Sequence, residues 1–354
     1  MNATLLPVPA FYDAANASRM DYAPDQQALF DAAQAYRAAH RLTAAAADAV
    51  KVHLLLIDMQ KDFCFPGGSL YVGGRSGRGA MADSDRIARF IYGNLGAISE
   101  ITCTMDTHFP FQVFFASFWE DADGKPLAPH REITVEQIRS GAVRPAPGVA
   151  GWLTNGNYGW LRDYVAHYAA ELERAGKYAL YLWPPHCILG SEGHALAGVV
   201  HEARLFHAYV RHARNGVEIK GGNAFTENYS VLAPEVLTRH DGKPLPGAQR
   251  NTEFIRKLLS SDAVVIAGEA ASHCVKSSIE DLLADIQAHD PALAARVYVM
   301  KDCMSSVAVP DGKGGFLADY TPQAEAALAR FQAAGMHVVE STTPLADWGI
   351  RGLA

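Results

Sequence analysis

The run VHLLLID (52–58) decides how the rest of this chain is read. It is short, almost wholly apolar and ends in an acid, so it reads as a strand too greasy to face water on either side. A glycine-rich loop follows, then DSDRIARFIYGNL (83–95), where Ile87, Phe90, Ile91 and Leu95 keep helical spacing. The alternation continues with EITCTMD (100–106) as strand and WLRDYVAHYAAELERAG (160–176) as helix, Gly176 being its stop. KYALYLW (177–183) reads as strand and GHALAGVVHEARLFHAYV (193–210) as helix. NTEFIRKLLSS (helix), AVVIAGE (263–269, strand) and CVKSSIEDLLADIQAH (helix) come next. RVYVMKD (296–302) and MHVVE (336–340) are strands flanking the helix PQAEAALARFQAAG. The pattern predicts an α/β fold, three layers α-β-α about a mainly parallel sheet.

Outside this pattern, residues 1–50 form a helical N-terminal arm. PDQQALFDAAQAYRAAH (24–40) and TAAAADAV (43–50) read as helix, with Leu29, Phe30, Ala33 and Tyr36 on one face. The arm either packs on its own domain or serves dimerisation, and a homo-oligomer is expected. Residues 51–354 make one α/β domain. Its proline-bearing segment of about 109–182 reads as an insertion over the functional edge of the sheet.

Composition narrows the function. At 49% hydrophobic and 19% charged, the chain can build a sizeable core. A net charge of −7 with scattered Lys and Arg leaves no basic stripe for nucleic acid. The five cysteines form no regular framework, which fits a reducing compartment. The N-terminus lacks the shape of a signal peptide, and no apolar stretch approaches the roughly 18–20 residues of a membrane span. A cytoplasmic protein without membrane contact is expected. There is no GxGxxG after a strand, no P-loop, no HExxH and no GxSxG. GGRSGRG (73–79) is taken as an ordinary mobile loop.

Six polar residues stand just past apolar runs. Asp58 ends the first strand, Lys220 follows VEI (217–219), and Cys274 follows AVVIAGE by a few residues and opens a helix. Open α/β sheets bind ligands at the carboxyl ends of their strands. A thiol at a helix N-terminus meets unpaired N–H groups that favour thiolate. Taken singly, Asp58 could cap a helix or pair with Lys61, Lys220 could be a surface charge, and Cys274 could be structural. Asp106 and His108, at i and i+2, share a face of extended backbone, and His186 follows YLWPP. Two imidazoles and a carboxylate suit a catalytic metal with open positions, although His186 could equally be a capped loop histidine. All six fall at the same end of successive expected strands, which chance would not arrange.

These pieces resemble the isochorismatase-like cysteine hydrolases, within them the nicotinamidase branch. The matching stretches are LLLIDMQKDFCFPGGSLYV (54–72), TMDTHFP…ASFW (104–119), WPPHCILGSEGHAL (183–196), IKGGNAFTENYSVL (219–232) and GEAASHCVKSSIEDL (268–282). The resemblance implies a triad of Asp58, Lys220 and Cys274. It implies a divalent metal, usually zinc, iron or manganese, on Asp106, His108 and His186. It also implies a cis bond before Ala270 and an oxyanion hole from the N–H groups of Ala270 and Cys274. Phe63 and Trp119 are candidate walls of an aromatic slot. The implied reaction is hydrolysis of a small amide, nicotinamide or a close analogue, through a Cys274 thioester with release of ammonia. The metal would position the substrate or activate water. Alternatives are an N-carbamoyl or ureido substrate, or a metal-binding oligomeric scaffold without activity. The arm, the long His108–His186 separation and the wording TENYS (226–230) depart from the family pattern, and they fall on the pocket walls and entrance.

Overall fold

The computed structural model describes residues 5–175 and 178–353. Gly176, the expected helix stop, and Lys177, the expected start of a strand, lie outside the described residues.

Six parallel strands form the central sheet: β1 (Val52–Ile57), β2 (Ile98–Asp106), β3 (Asn215–Lys220), β4 (Ala263–Gly268), β5 (Val297–Met300) and β6 (His337–Val339). Their spatial order is β6-β5-β4-β1-β2-β3. Every residue of β1 and β4 is buried, as unbroken Val, Leu, Ile and Ala runs require. The helices are α1 (Gln26–His40), α2 (Gly79–Gly93), α3 (Tyr158–Ala175), α4 (Gly198–Arg211), α5 (Thr252–Leu259), α6 (Lys276–His289) and α7 (Thr321–Ala333). On the sheet, α2 packs with α4, and α6 packs with α7. The chain runs outward from β1 through β2 to β3, then returns to β4 on the other side of β1. The strand order therefore reverses between β1 and β4, and such a switch point opens a crevice at the strand carboxyl ends.

The arm packs on its own domain. Leu29 and Ala33 are buried, Leu6 N–H donates to Gly93 O at 2.8 Å, and the rings of Phe30 and Tyr36 meet Tyr209 and Phe206. TAAAADAV holds only a 3₁₀ turn, Ala45–Ala47, rather than a helix. Its Asp48 is drawn inward to the buried Arg211 guanidinium at 2.5 Å and takes the Ser99 hydroxyl at 2.6 Å.

The expected strand before His186 is also different. Leu180–Leu182 pairs antiparallel with Arg131–Ile133 inside the insertion, because both sides of β2 are already taken by β1 and β3. The insertion has its own apolar centre around Tyr164, Val165 and Tyr168 of α3. The Tyr164 hydroxyl donates to Phe225 O at 2.8 Å, and Glu227 N–H donates to the Tyr168 hydroxyl at 3.1 Å. Thus α3 seats the loop that carries Glu227. Among the described residues no helix is long and apolar enough to cross a membrane.

Candidate active site

Asp58 sits just beyond β1 at φ 46°, a left-handed conformation uncommon for a side-chain-bearing residue. Its N–H donates to Thr104 Oγ1 at 2.9 Å, and the Thr104 hydroxyl donates back to Asp58 Oδ1. This clasp from β2 aims the other carboxylate oxygen at Lys220. Lys220 is the last residue of β3 and is buried on an otherwise half-open edge strand. Its Nζ lies 2.8 Å from Asp58 Oδ2 and 2.9 Å from Asp106 Oδ1, donates to Asn228 O at 2.9 Å, and stands 3.6 Å from Cys274 Sγ. The Asp58 carboxylate and the thiol thus flank the same ammonium. Acid, amine and sulfur, separated by more than half the chain, meet at the switch point.

Gly221 makes this approach possible. It has φ 82°, and a Cβ there would lie 2.5 Å from His108 Cε1 and 2.6 Å from Asp106 Oδ1.

The electrostatics follow from burial of these charges together. Burial pushes Asp58 up, with the Lys220 ammonium opposing. Burial works against the charged form of Lys220, but Asp106 and Asp58 outweigh it and hold the ammonium protonated. Burial also raises the Cys274 thiol, Lys220 opposes, and the two carboxylates add to the rise. Burial and the carboxylates thus work against the thiolate that a helix N-terminus favours. The reason is geometric: Cys274 lies in the π-helical turn Ala271–Val275 that precedes α6, beside carboxylates. A raised carboxylate next to a protonated thiol is a base beside its acid.

Asp106, His108 and His186 offer ligand atoms within 4.8 Å of one another. Asp106 Oδ2 lies 2.9 Å from His108 Nε2 and 3.6 Å from His186 Nε2. Each imidazole uses its other nitrogen on a carbonyl: His108 Nδ1 on Gly221 O at 3.0 Å, His186 Nδ1 on Pro184 O at 2.8 Å. Gln112 braces the same Gly221 carbonyl at 2.8 Å. A neutral His108 has one proton for two facing acceptors, so a further positive charge is needed between Nε2 and Asp106. Burial opposes charging His108, yet Asp106 outweighs it, while burial keeps His186 neutral with its Nε2 lone pair available. Backbone carbonyls fixing Nδ1–H and carboxylate-facing Nε2 atoms are the supports found around metal ligands. The donor set fits a divalent ion. His186 reaches it from the insertion rather than from the end of a central strand.

A narrow cavity of about 30 Å³ lies beside Cys274. Phe63, Trp183, Tyr229 and His273 give it aromatic walls, and Asp106 and Glu227 give it acids. Phe63 packs on His186 with ring centroids 5.4 Å apart. Trp119 does not line the cavity: it is buried within the insertion, its Nε1–H bound to Val113 O at 2.6 Å. Trp183 takes the place expected of it and donates from Nε1 to the Tyr229 hydroxyl at 3.0 Å. Ala270 also lines the cavity, and the Glu269–Ala270 peptide is cis.

Sequence reasoning did not single out Thr104, Trp183, Glu227, Tyr229 and His273. Their one signal was adjacency, since each lies within a few residues of a chosen residue or inside a quoted motif. Glu227 is pushed up to about 8, first by burial and then by the nearby Asp106 carboxylate.

A scan against protein-family models finds no match, and neither does a search of curated proteins. Among solved structures the chain is similar to an Acinetobacter baumanii nicotinamidase and pyrazinamidase (18% identity, 82% of this chain and 96% of that one, TM-score 0.47). It is similar to the yeast nicotinamidase bound to the inhibitor nicotinaldehyde (18%, 82% and 99%, TM-score 0.49). It is also similar to an N-carbamoylsarcosine amidase from Thermoplasma acidophilum (14%, 83% and 98%, TM-score 0.39). Each is a likeness of shape at low identity, and none decides what this chain does.

Proposed function

We propose that this chain is an isochorismatase-like cysteine hydrolase of the nicotinamidase branch, cleaving the C–N bond of a small uncharged amide. The observation that carries this reading is the contact set of one ammonium: Lys220 touches Asp58, Asp106 and the Cys274 sulfur at once.

In this reading Asp58 takes the thiol proton as Cys274 Sγ attacks the amide carbonyl carbon. The N–H groups of Ala270 and Cys274 receive the oxyanion, a contribution of about 2.7–4 kcal/mol per donor. Asp58 passes its proton to the departing nitrogen, and ammonia leaves as the carbonyl re-forms on sulfur. Water then cleaves the thioester, with Asp58 again as base. Lys220 stays charged throughout and holds Asp58 in place. Asp106, His108 and His186 would hold the metal, zinc first and iron or manganese next. Such an ion supplies Lewis acidity and a fixed positive charge beside the cavity.

The walls support the choice of substrate. They are aromatic and close-set, faces on which a flat ring such as that of nicotinamide would stack once the walls part to admit it. No arginine or lysine lines the cavity among the described residues, while Asp106 and Glu227 do. Among the described residues no arginine or lysine side chain is there to pair with the carboxylate of a ureido or N-carbamoyl acid. The five free cysteines, all buried, support a reducing compartment, the cytoplasm.

The test is ammonia release from nicotinamide, pyrazinamide, benzamide and N-carbamoyl amino acids by wild type and Cys274→Ala. Turnover of the neutral aromatic amides, abolished in the variant, is the expected result. Unchanged turnover in Cys274→Ala, or preference for the carboxylates, sinks the reading.

A further inference from the structure

Behind the turn that carries Ala270, the molecule buries a second acid cluster that the hydrolytic steps do not use. Glu269, directly after β4, and Asp83 of α2 are 0% and 1% exposed, and both are held by Ser305. One guanidinium serves the pair, with Arg86 Nη2 lying 2.5 Å from Asp83 Oδ1. Ser305 joins the cluster to the active site. Its hydroxyl donates to Asp83 Oδ2 at 2.5 Å, its N–H donates to Glu269 Oε2 at 3.1 Å, and its carbonyl accepts from Ala271 N–H at 2.8 Å. The glycine-rich loop 73–79 closes over this serine: a Cβ on Gly79 would lie 2.3 Å from Ser305 Oγ.

Two buried carboxyls held on one serine do not both ionise with a single arginine to balance them. Asp83 has both oxygens occupied, by Arg86 and Ser305. Among the described residues Glu269 Oε1 has no hydrogen-bond partner, which makes it the seat of the shared proton. We propose that Glu269 is held as a neutral acid donating to Asp83, and that it acts through Ser305 to fix the Ala270–Cys274 turn in its oxyanion-binding shape. It is a positioning residue, and its effect on rate rests on the hydrolase reading above. Burial, then Asp83, pushes Glu269 well above the usual carboxylate range, and burial raises Asp83 as well. The groups facing Glu269 are Asp83 and Arg86 of α2, Ser305, Cys64 and Tyr71. Of these only Arg86 is a cation.

Infrared difference spectra of the full chain, wild type against Glu269→Gln, test the proton directly. A protonated-carboxyl stretch in wild type that vanishes in the variant is expected, and its absence from wild type overturns the proposal. Kinetics test the positioning. Glu269→Gln keeps the shape and the donor, so its kcat is expected within about threefold of wild type, while Glu269→Ala loses about 100-fold with KM little changed. The wild-type rate should fall at alkaline pH as the shared proton leaves, and the Gln variant should not follow it. A Gln variant as impaired as the Ala variant, or an Ala variant at wild-type kcat, also overturns the proposal. If wild type cleaves no amide, the hydrolase reading fails, and the infrared result still judges the neutral acid by itself.

Discussion

Lys220 Nζ stands 2.9 Å from Asp106 Oδ1, so a single ammonium joins the base of the nucleophile to the three-ligand set. Replacing it with Met or Gln leaves Asp58 and Asp106 buried without their counter-charge. Removing one partner of a buried ion pair costs about 3–5 kcal/mol. Urea melts of Lys220→Met should show that loss, and ammonia release should disappear. A melt unchanged from wild type would mean the two carboxylates do not depend on this lysine.

In the proposed reaction Asp58 accepts the proton of a thiol whose pKa burial and the carboxylates raise. Asp58→Asn preserves the size of the side chain but removes the base. General-base removal costs about 100- to 10,000-fold, and kcat on the amide of choice should fall within that range. Native Cys274 should also alkylate slowly with iodoacetamide near neutral pH, because burial and the carboxylates raise its thiol. Rapid labelling would contradict a raised thiol.

Metal content gives a third test. About one divalent ion per chain is expected by elemental analysis of pure protein, and His186→Ala should lower it. Chelation should lower the melting temperature, with recovery on adding zinc. Gln112 Nε2 contacts both His108 Nδ1 at 3.3 Å and the Gly221 carbonyl that braces it at 2.8 Å, so Gln112→Ala should weaken the metal by about 10- to 100-fold without removing a ligand.

Stability should fall in acid because three buried histidines, two of them away from the site, must take up charge. Burial pushes His207 and His53 down to about 4 and His273 down to about 3. The folded state then binds fewer protons than the unfolded chain, whose histidines titrate near 6.5. Their contribution is complete above about pH 6.5 and is lost as pH falls through about 4. His207 packs against β2, its Nε2–H bound to Ile98 O at 2.9 Å. Comparing urea midpoints of wild type and His207→Gln between pH 7 and pH 4 isolates one site. The variant should lose about 1.4 kcal/mol per pH unit less than wild type across that window.

Much of this was legible in the amino acids. The strands at 52–57, 263–268 and 297–300 announce themselves because a parallel core strand is apolar on both faces, and the acid or thiol that follows is conspicuous. Trp119 was harder. A tryptophan beside a phenylalanine run looks the same whether it walls a cavity or fills the centre of an insertion, and only folding of residues 109–182 separates it from Trp183. The partner of Leu180–Leu182 was also beyond reach, because a short apolar strand carries no mark of which sheet it joins. Glu269 was hidden for a similar reason: a glutamate before a catalytic turn looks solvated until Asp83, far away along the chain, is brought against it.

The reversal of strand order between β1 and β4 divides the labour of the chain. Everything up to Lys220 holds the proposed base, the ammonium and the candidate metal donors; everything after β3 holds the sulfur and the turn that would receive the oxyanion. The exposed tight turn Arg239–Lys243, closed by the Arg239 N–H to Lys243 O bond at 2.8 Å, lies between the two. Cutting the polypeptide there would yield two inert fragments, each holding half of the chemistry, and restored turnover on mixing them would report their reassembly.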